Sequence, residues 1–326
     1  MGVAVRLDSF QRRHTWLGFP LGVIYKFVDD QGGYLAALIT YYGFVSLFPL
    51  LLLLVSVLGY FLDGDPALQQ ALLGSALQQL PIVGPQLQQN VGTFHGSRAG
   101  VILGICGAVY GGLGVAVAIQ TALNRVWAVP RYARPNPLLS RLRGLLLFAL
   151  LGALVLITTA LSAAGPVAAG IGYGGPWVRF AAIPVAMAAN VGAFLIGFRV
   201  LTARDIRLAD LVPGAVCAGI AVQMLQIGGA WFVSNVLSGA SEVYGVFGLV
   251  LGLLAYLYLQ TVIVVFSAEI NAVRARRLWP RSLLTPFVDD VALTRADQAS
   301  YRSYVDSERF KPSQQVRTTF NPPDQD

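Results

Sequence analysis

Long apolar runs separated by short polar joints dominate this chain. Six stretches are long enough for a helix to cross a bilayer core: Leu35–Leu62, Gly100–Leu123, Gly144–Ala164, Trp177–Leu201, Leu211–Leu237 and Gly245–Asn271. A spanning helix needs about 20 mostly apolar residues. No Asp, Glu, Lys or Arg falls in the central third of any of them. A charge there costs about 2.5–3.5 kcal/mol even on the lenient insertion scale. The pattern predicts an all-α integral membrane protein, a bundle of about six transmembrane helices.

Two further segments carry helical periodicity without enough apolar length to span. Between the first two runs, Pro66 suits a first helical turn. Leu68, Leu72, Leu73, Leu77 and Leu80 follow at helical spacing, with Gln69, Gln70, Gln78 and Gln79 on the remaining surface. This predicts an extra, uncharged amphipathic helix on the outer side, either resting on the bundle or covering an outward-facing cavity. Phe19–Tyr34 is also amphipathic: Phe19, Val23, Ile24, Phe27 and Val28 share a face, with Lys26, Asp29 and Asp30 off it. It is expected to run along the inner headgroup layer before turning at Gly32-Gly33. The chain thus divides into an interfacial segment at 1–34, a transmembrane domain at 35–271 and a polar tail at 272–326. The tail lacks sustained periodicity and is expected to be largely disordered.

Composition supports the membrane reading. Hydrophobic residues make up 56% and charged residues 12%, with a mean hydropathy of +0.63. Soluble domains carry about 25% charged residues. The net charge of +7 raises nucleic acid as a partner, but its distribution argues otherwise. Of the 23 Lys and Arg, the alternate loops hold only Arg98 and Arg179. All the others flank the opposite ends of the runs. That asymmetry predicts both termini on the cytoplasmic side of a bacterial inner membrane. The basic residues then meet anionic headgroups, so membrane lipids are the expected partners.

The cysteines, Cys106 and Cys217, have no paired spacing and read as small packing residues. The topology places His14 and His95 on opposite sides, so they build no metal-hydrolase cluster. No Walker A or GxSxG sequence occurs. No catalytic set, metal site or cofactor is expected.

Polar residues inside the runs are the functional candidates, although such groups also join helices. Tyr41, Tyr42 and Ser46 precede Pro49, which deprives the Val45 carbonyl of its helical partner. A kink is expected there, with Ser46 or a neighbouring helix satisfying that carbonyl. Asn190, Gln223, Gln226 and Gln260 either line one polar interior or make interhelical hydrogen bonds. Glu269 stands about 35–40 Å along its helix from Tyr244, near the inner headgroups. Its expected role is an ion pair with Arg274 or Arg125, or a proton or substrate site. Glycines at 107 and 111, among others, have the spacing that lets helices approach closely.

Three ordered motifs carry a family resemblance. They are Leu38-Ile-Thr-Tyr-Tyr-Gly-Phe-Val-Ser-Leu-Phe-Pro49, Leu123-Asn-Arg-Val-Trp-Ala-Val-Pro130, and Tyr244-Gly-Val-Phe-Gly248 with Tyr256-Leu-Tyr258 and Ser267-Ala-Glu-Ile-Asn-Ala272. They resemble the signatures of the YihY/BrkB family of bacterial inner-membrane proteins, over about Val28 to Arg277. Gly43 and Ile270 stand where other side chains are common in that family. The resemblance implies six membrane helices and adds Asn124, Arg125, Trp127, Tyr244, Gly245 and Asn271 to the candidate residues. It implies no settled activity. Members have carried a ribonuclease label, for which this chain offers no His/Asp cluster. The family's link with envelope integrity and export of lipid-like material suggests transport of a lipid or amphipathic envelope component. The alternative is a non-transporting scaffold that uses the tail as its partner site.

Overall fold

The structure is a computed structural model, and it describes residues 2–61, 98–147, 176–232, 238–285, 287–288 and 291–320. Among the described residues the regular structure is helical, with no strand. Two short helices, α1 (Gly2–Arg13) and α2 (Thr15–Asp29), precede the long α3 (Gly32–Phe61) and α4 (Arg98–Val126). Next come α5 (Pro176–Leu201), α6 (Leu208–Phe232) and the longest helix, α7 (Ser238–Arg276). A final helix, α8, covers Arg295–Ser307. Residues 137–147 are also helical. The amphipathic segment expected around residues 66–80 and most of the run at 144–164 lie outside the described residues.

Among the described residues, three helical stretches are long and apolar enough to cross a membrane: Gly104–Val126, Leu208–Gly229 and Val250–Arg276. Gly32–Leu47 and Met187–Leu201 are shorter apolar helical stretches. Large apolar side chains such as Ile102, Tyr110, Met224, Ile227, Phe247 and Leu251 face outward. In water so much exposed apolar surface would be a liability, whereas lipid solvates it.

α3 packs most extensively against α4, and glycine makes that possible. A Cβ on Gly107 would lie 2.6 Å from Pro49, and one on Gly111 would lie 2.5 Å from Ser46. Gly114 abuts the Tyr42 ring in the same row. The two backbones therefore touch along a stripe of small residues, as the glycine spacing predicts. α6 packs between α5 and α7, and α7 also touches α3 and α2. The shared core joins Ala36 and Ile39, Leu123 and Trp127, Leu211 and Ala215, and Val265, Ala268 and Ala272.

Pro49 does not interrupt α3, which continues through it. Ser46 donates to the Gly43 carbonyl at 2.9 Å rather than to the carbonyl that proline orphans. Its hydroxyl thus turns back one turn of its own helix, away from the Val45 position expected from sequence.

Three helix ends reverse through non-glycine residues of positive φ: Gln31 (58°), Ala128 (48°) and Arg277 (53°). At the end of α4, Val129 N–H donates to the Asn124 carbonyl and Ala128 N–H to the Arg125 carbonyl. At the end of α7, Leu278 and Arg277 repeat that pattern on Val273 and Arg274. Both are Schellman-type ends, in which backbone donors satisfy the last carbonyls. They bring the ends of α4 and α7 to one level, called the base here.

Two features of the base differ from the sequence pattern. The buried face of α2 is not simply its apolar one. Val23 is buried with Val273 and Leu278, Lys26 is fully buried, and Ile24 and Val28 are exposed. The tail also contains order. α8 begins with a capping box in which Thr294 and Asp297 satisfy each other's backbone N–H groups, and it folds back onto the base. Its buried face is made of Ala296, Asp297, Ser300, Ser303 and Ser307. This small, polar face is anchored by ions rather than by apolar area, so hydropathy does not reveal it.

Candidate functional site: buried charges at the base

Glu269 comes from α7, inside its apolar stretch Val250–Arg276, and is fully buried. Its partner is Lys26 of α2, whose Nζ lies 3.6 Å from the Glu269 Oε2. That distance makes an ion pair, but it is too long for a hydrogen bond. Neither Glu269 oxygen has a hydrogen-bond partner. Lys26 also contacts Asp30, four residues on, and donates to the Val126 carbonyl at 3.1 Å. Lys26, Asp30 and Glu269 have no exposed side-chain surface. One ammonium therefore serves two buried carboxylates and a helix-terminal carbonyl.

The second cation is Arg125 at the end of α4. Its Nε stands 3.8 Å from Asp30 Oδ1, and its Nη1 lies 3.4 Å from Glu308 beyond α8. Arg131 holds the same Glu308 at 2.7 Å. The sequence-based pairing of Glu269 with Arg274 or Arg125 is thus corrected. Lys26 takes Glu269, and Arg125 reaches the cluster only through Asp30. Lys26 escapes a local reading because it lies so far from Glu269 along the chain. The i,i+4 spacing of Lys26 and Asp30 is the one local signal.

Tyr304 of α8 covers this cluster. Its ring centroid lies 5.3 Å from the Lys26 Nζ, and its hydroxyl donates to Asp29 at 3.3 Å. Burial, with Asp30 and Asp29 nearby, pushes the Tyr304 phenol up, so it remains a donor. Arg281 completes a neighbouring network, pairing with Asp29 at 2.5 Å and Asp297 at 2.9 Å. Burial works against the Arg281 charge, but these two carboxylates outweigh it and hold the guanidinium above its ordinary range. Asp297 also accepts from the Ser282 and Thr294 N–H groups. Gln11 of α1 donates to the Arg281 carbonyl, and Asp8 accepts from Leu283 N–H. Helices α1, α2 and α8 are all tied to the segment that follows α7.

Two asparagines set the long helices around this site. Asn271 accepts from Gly214 N–H at 2.7 Å and donates to the Leu211 carbonyl at 3.1 Å, clamping α7 onto the start of α6. Gly214 must lack a side chain, because a Cβ would strike Asn271 and the Ser267 carbonyl. Asn124 accepts from Ala203 N–H at 2.8 Å, fixing α4 to the turn after α5. Trp127 is buried in the shared core. Asn124, Arg125, Trp127, Glu269 and Asn271 therefore meet at the base.

The other candidates do not join them. Tyr42, Ser46 and Pro49 face the glycine row of α4, and Tyr41 is exposed. Gln260 donates to the Tyr256 hydroxyl in its own helix at 3.2 Å. Asn190, Gln223 and Gln226 are partly exposed along α5 and α6. Tyr244 and Gly245 lie early in α7. No group of three or more His, Cys, Asp or Glu among the described residues is placed to hold a metal ion.

Residues 23–286 match the family described as Virulence factor BrkB. The chain belongs to the BrkB family. That match contains Lys26, Asp30, Arg125, Glu269 and Arg281, and it stops before α8. Among BrkB relatives, an uncharacterized protein of Dickeya dadantii is 27% identical over 260 residues, covering 74% of this chain and 79% of its own. The inner membrane protein YhjD of Escherichia coli is 25% identical over 260 residues, covering 74% of this chain and 77% of its own. No solved structure matches. The family and the apolar helices together make this BrkB chain a membrane protein.

Proposed function

We propose that this BrkB-family protein crosses the bacterial inner membrane six times, with both termini cytoplasmic, and moves a lipid or amphipathic envelope component. The charge asymmetry supports the orientation, because the base gathers the Arg-rich ends of α4, α5 and α7. The observation that carries the transport reading is Glu269. A carboxylate sealed within an apolar helix, with both oxygens lacking hydrogen bonds, is expensive. Its only ammonium is shared with Asp30. Burying an ion costs several kcal/mol even after relaxation, and apolar packing would fill the same space without that cost. A group that exchanges its partner during a transport cycle accounts for it.

The test uses the full chain in vesicles containing fluorescent phosphatidylglycerol, with chemical quenching of the outer leaflet. Wild type is expected to exchange the probe between leaflets, and Glu269→Gln to slow that exchange while remaining folded. Equal exchange by both, or none by either, counts against this reading. A scaffold reading draws on the exposed Phe310 and Val316 beyond α8. It predicts that truncation after Glu308 removes envelope function while Glu269→Gln leaves it intact.

A further inference from the structure

Beside the Lys26 cluster lies a separate pocket of about 370 Å³. It forms where three helix ends meet beneath α8. Val129 follows α4, Ala203 and Arg204 follow α5, Arg276 ends α7, and Ser303 and Asp306 of α8 close the far side. The volume far exceeds the roughly 30 Å³ share of a single water, so a group of several atoms fits.

Its charge is lopsided. Arg204 and Arg276 make no ion pair with any carboxylate among the described residues. The one acid in the lining, Asp306, is already paired with Arg309 at 3.0 Å. Arg204 reaches only the Trp127 carbonyl, at 3.5 Å. The Arg276 Nη1 is shielded from solvent and has no hydrogen-bond partner. A buried donor left unsatisfied costs about as much as a good hydrogen bond returns. The Trp127 carbonyl offers Arg204 weak compensation, and Arg276 takes none at Nη1. Two arginines lining one recess suit a phosphate, whose oxygens accept bidentately from a guanidinium.

We infer that this pocket is a phosphate-binding site, holding either the phosphate of an anionic lipid headgroup or a free phosphate group. The pocket is lined by residues at the ends of apolar helices, the level at which the proposed topology puts headgroup phosphates. The site stands whether or not the chain transports lipid, so its test is a binding test.

Purified full-length protein in detergent is unfolded thermally in potassium phosphate and in potassium chloride of equal ionic strength. The expected result is a higher midpoint in phosphate, lost in the Arg204→Gln/Arg276→Gln double variant. Arg276→Lys keeps the charge but not the fork, and it guards against misfolding of the double variant. It is expected to weaken phosphate binding roughly tenfold or more, the scale of one charge-assisted hydrogen bond. A second arm extracts the protein from vesicles of phosphatidylglycerol in phosphatidylcholine and weighs it by native mass spectrometry. Retained phosphatidylglycerol that phosphate displaces assigns the site to a headgroup, whereas phosphate binding without retained lipid assigns it to a free phosphate. An equal midpoint in both salts with no retained phosphatidylglycerol overturns the site. So does a phosphate effect that survives unchanged in both variants.

Discussion

The middle of the bundle and its base use polar residues in opposite ways. In the middle, α3 and α4 meet through Gly107, Gly111 and Gly114, and most of the polar groups close on their own helices, with the neutral pair Thr40 and Thr261 joining α3 to α7 at 2.8 Å. Ser46 bonds Gly43, Thr121 bonds Val117, and Gln260 bonds Tyr256. At the base, contacts join residues far apart in sequence, and fully buried ions replace small side chains. The middle is built for close, apolar contact. The base carries the electrostatic cost of burying charge. The difference teaches that what sets the base apart is not polarity as such but fully buried charge held between elements distant in sequence.

The strongest way to break this contrast is Lys26→Met. It strands Asp30 and Glu269 without their shared ammonium, and removing one partner of a buried ion pair typically costs about 3–5 kcal/mol. Denaturant unfolding in nanodiscs should show a loss of that order. Glu269→Leu added to Lys26→Met should recover part of it, since the stranded charge is then gone. A loss below about 1 kcal/mol would mean that the cluster is no more than a solvated surface pair.

A smaller, local effect is expected from Asp297→Ala. This change removes the Asp297 half of the α8 capping box and one of the two carboxylates on Arg281. A lost cap costs about 0.5–2 kcal/mol. Amide exchange in residues 295–307 should accelerate while the ends of α4 and α7 remain protected. Uniform acceleration would show that α8 is not a separable cover.

The smallest effect belongs to the middle. Gln260→Leu should shift stability by about 0.6 kcal/mol, the average worth of a side-chain hydrogen bond inside a membrane. A loss comparable to that from Lys26→Met would erase the distinction between the two regions.

The long helices were legible because apolar length is a one-dimensional property. α5 begins at Pro176 and ends at Leu201, close to the run read from hydropathy. Glu269 was legible as an outlier, a lone carboxylate late in an apolar run. Its partner was not, because Lys26 precedes α3 and meets α7 only through the tertiary fold. The amphipathic pattern of α2 also misled: it placed Lys26 on the outer face, whereas α7 and α8 cover that face. The tail helix left one usable sign, Thr294 with Asp297 three residues on, a capping box that hydropathy does not register. The amides at 190, 223 and 260 looked alike in sequence. Whether such a group turns to its own helix or to a neighbour depends on rotation about the helix axis, and spacing alone does not fix that.

The central claim is that function resides in the charged base and not in the mid-bundle amides. The most direct measurement compares leaflet exchange of fluorescent phosphatidylglycerol by two folded variants in matched vesicles. One is Glu269→Gln, and the other is the triple variant Asn190→Leu/Gln223→Leu/Gln260→Leu. The account predicts that Glu269→Gln loses most of the wild-type rate and that the triple variant keeps it. A triple variant that loses exchange while Glu269→Gln retains it would contradict the account.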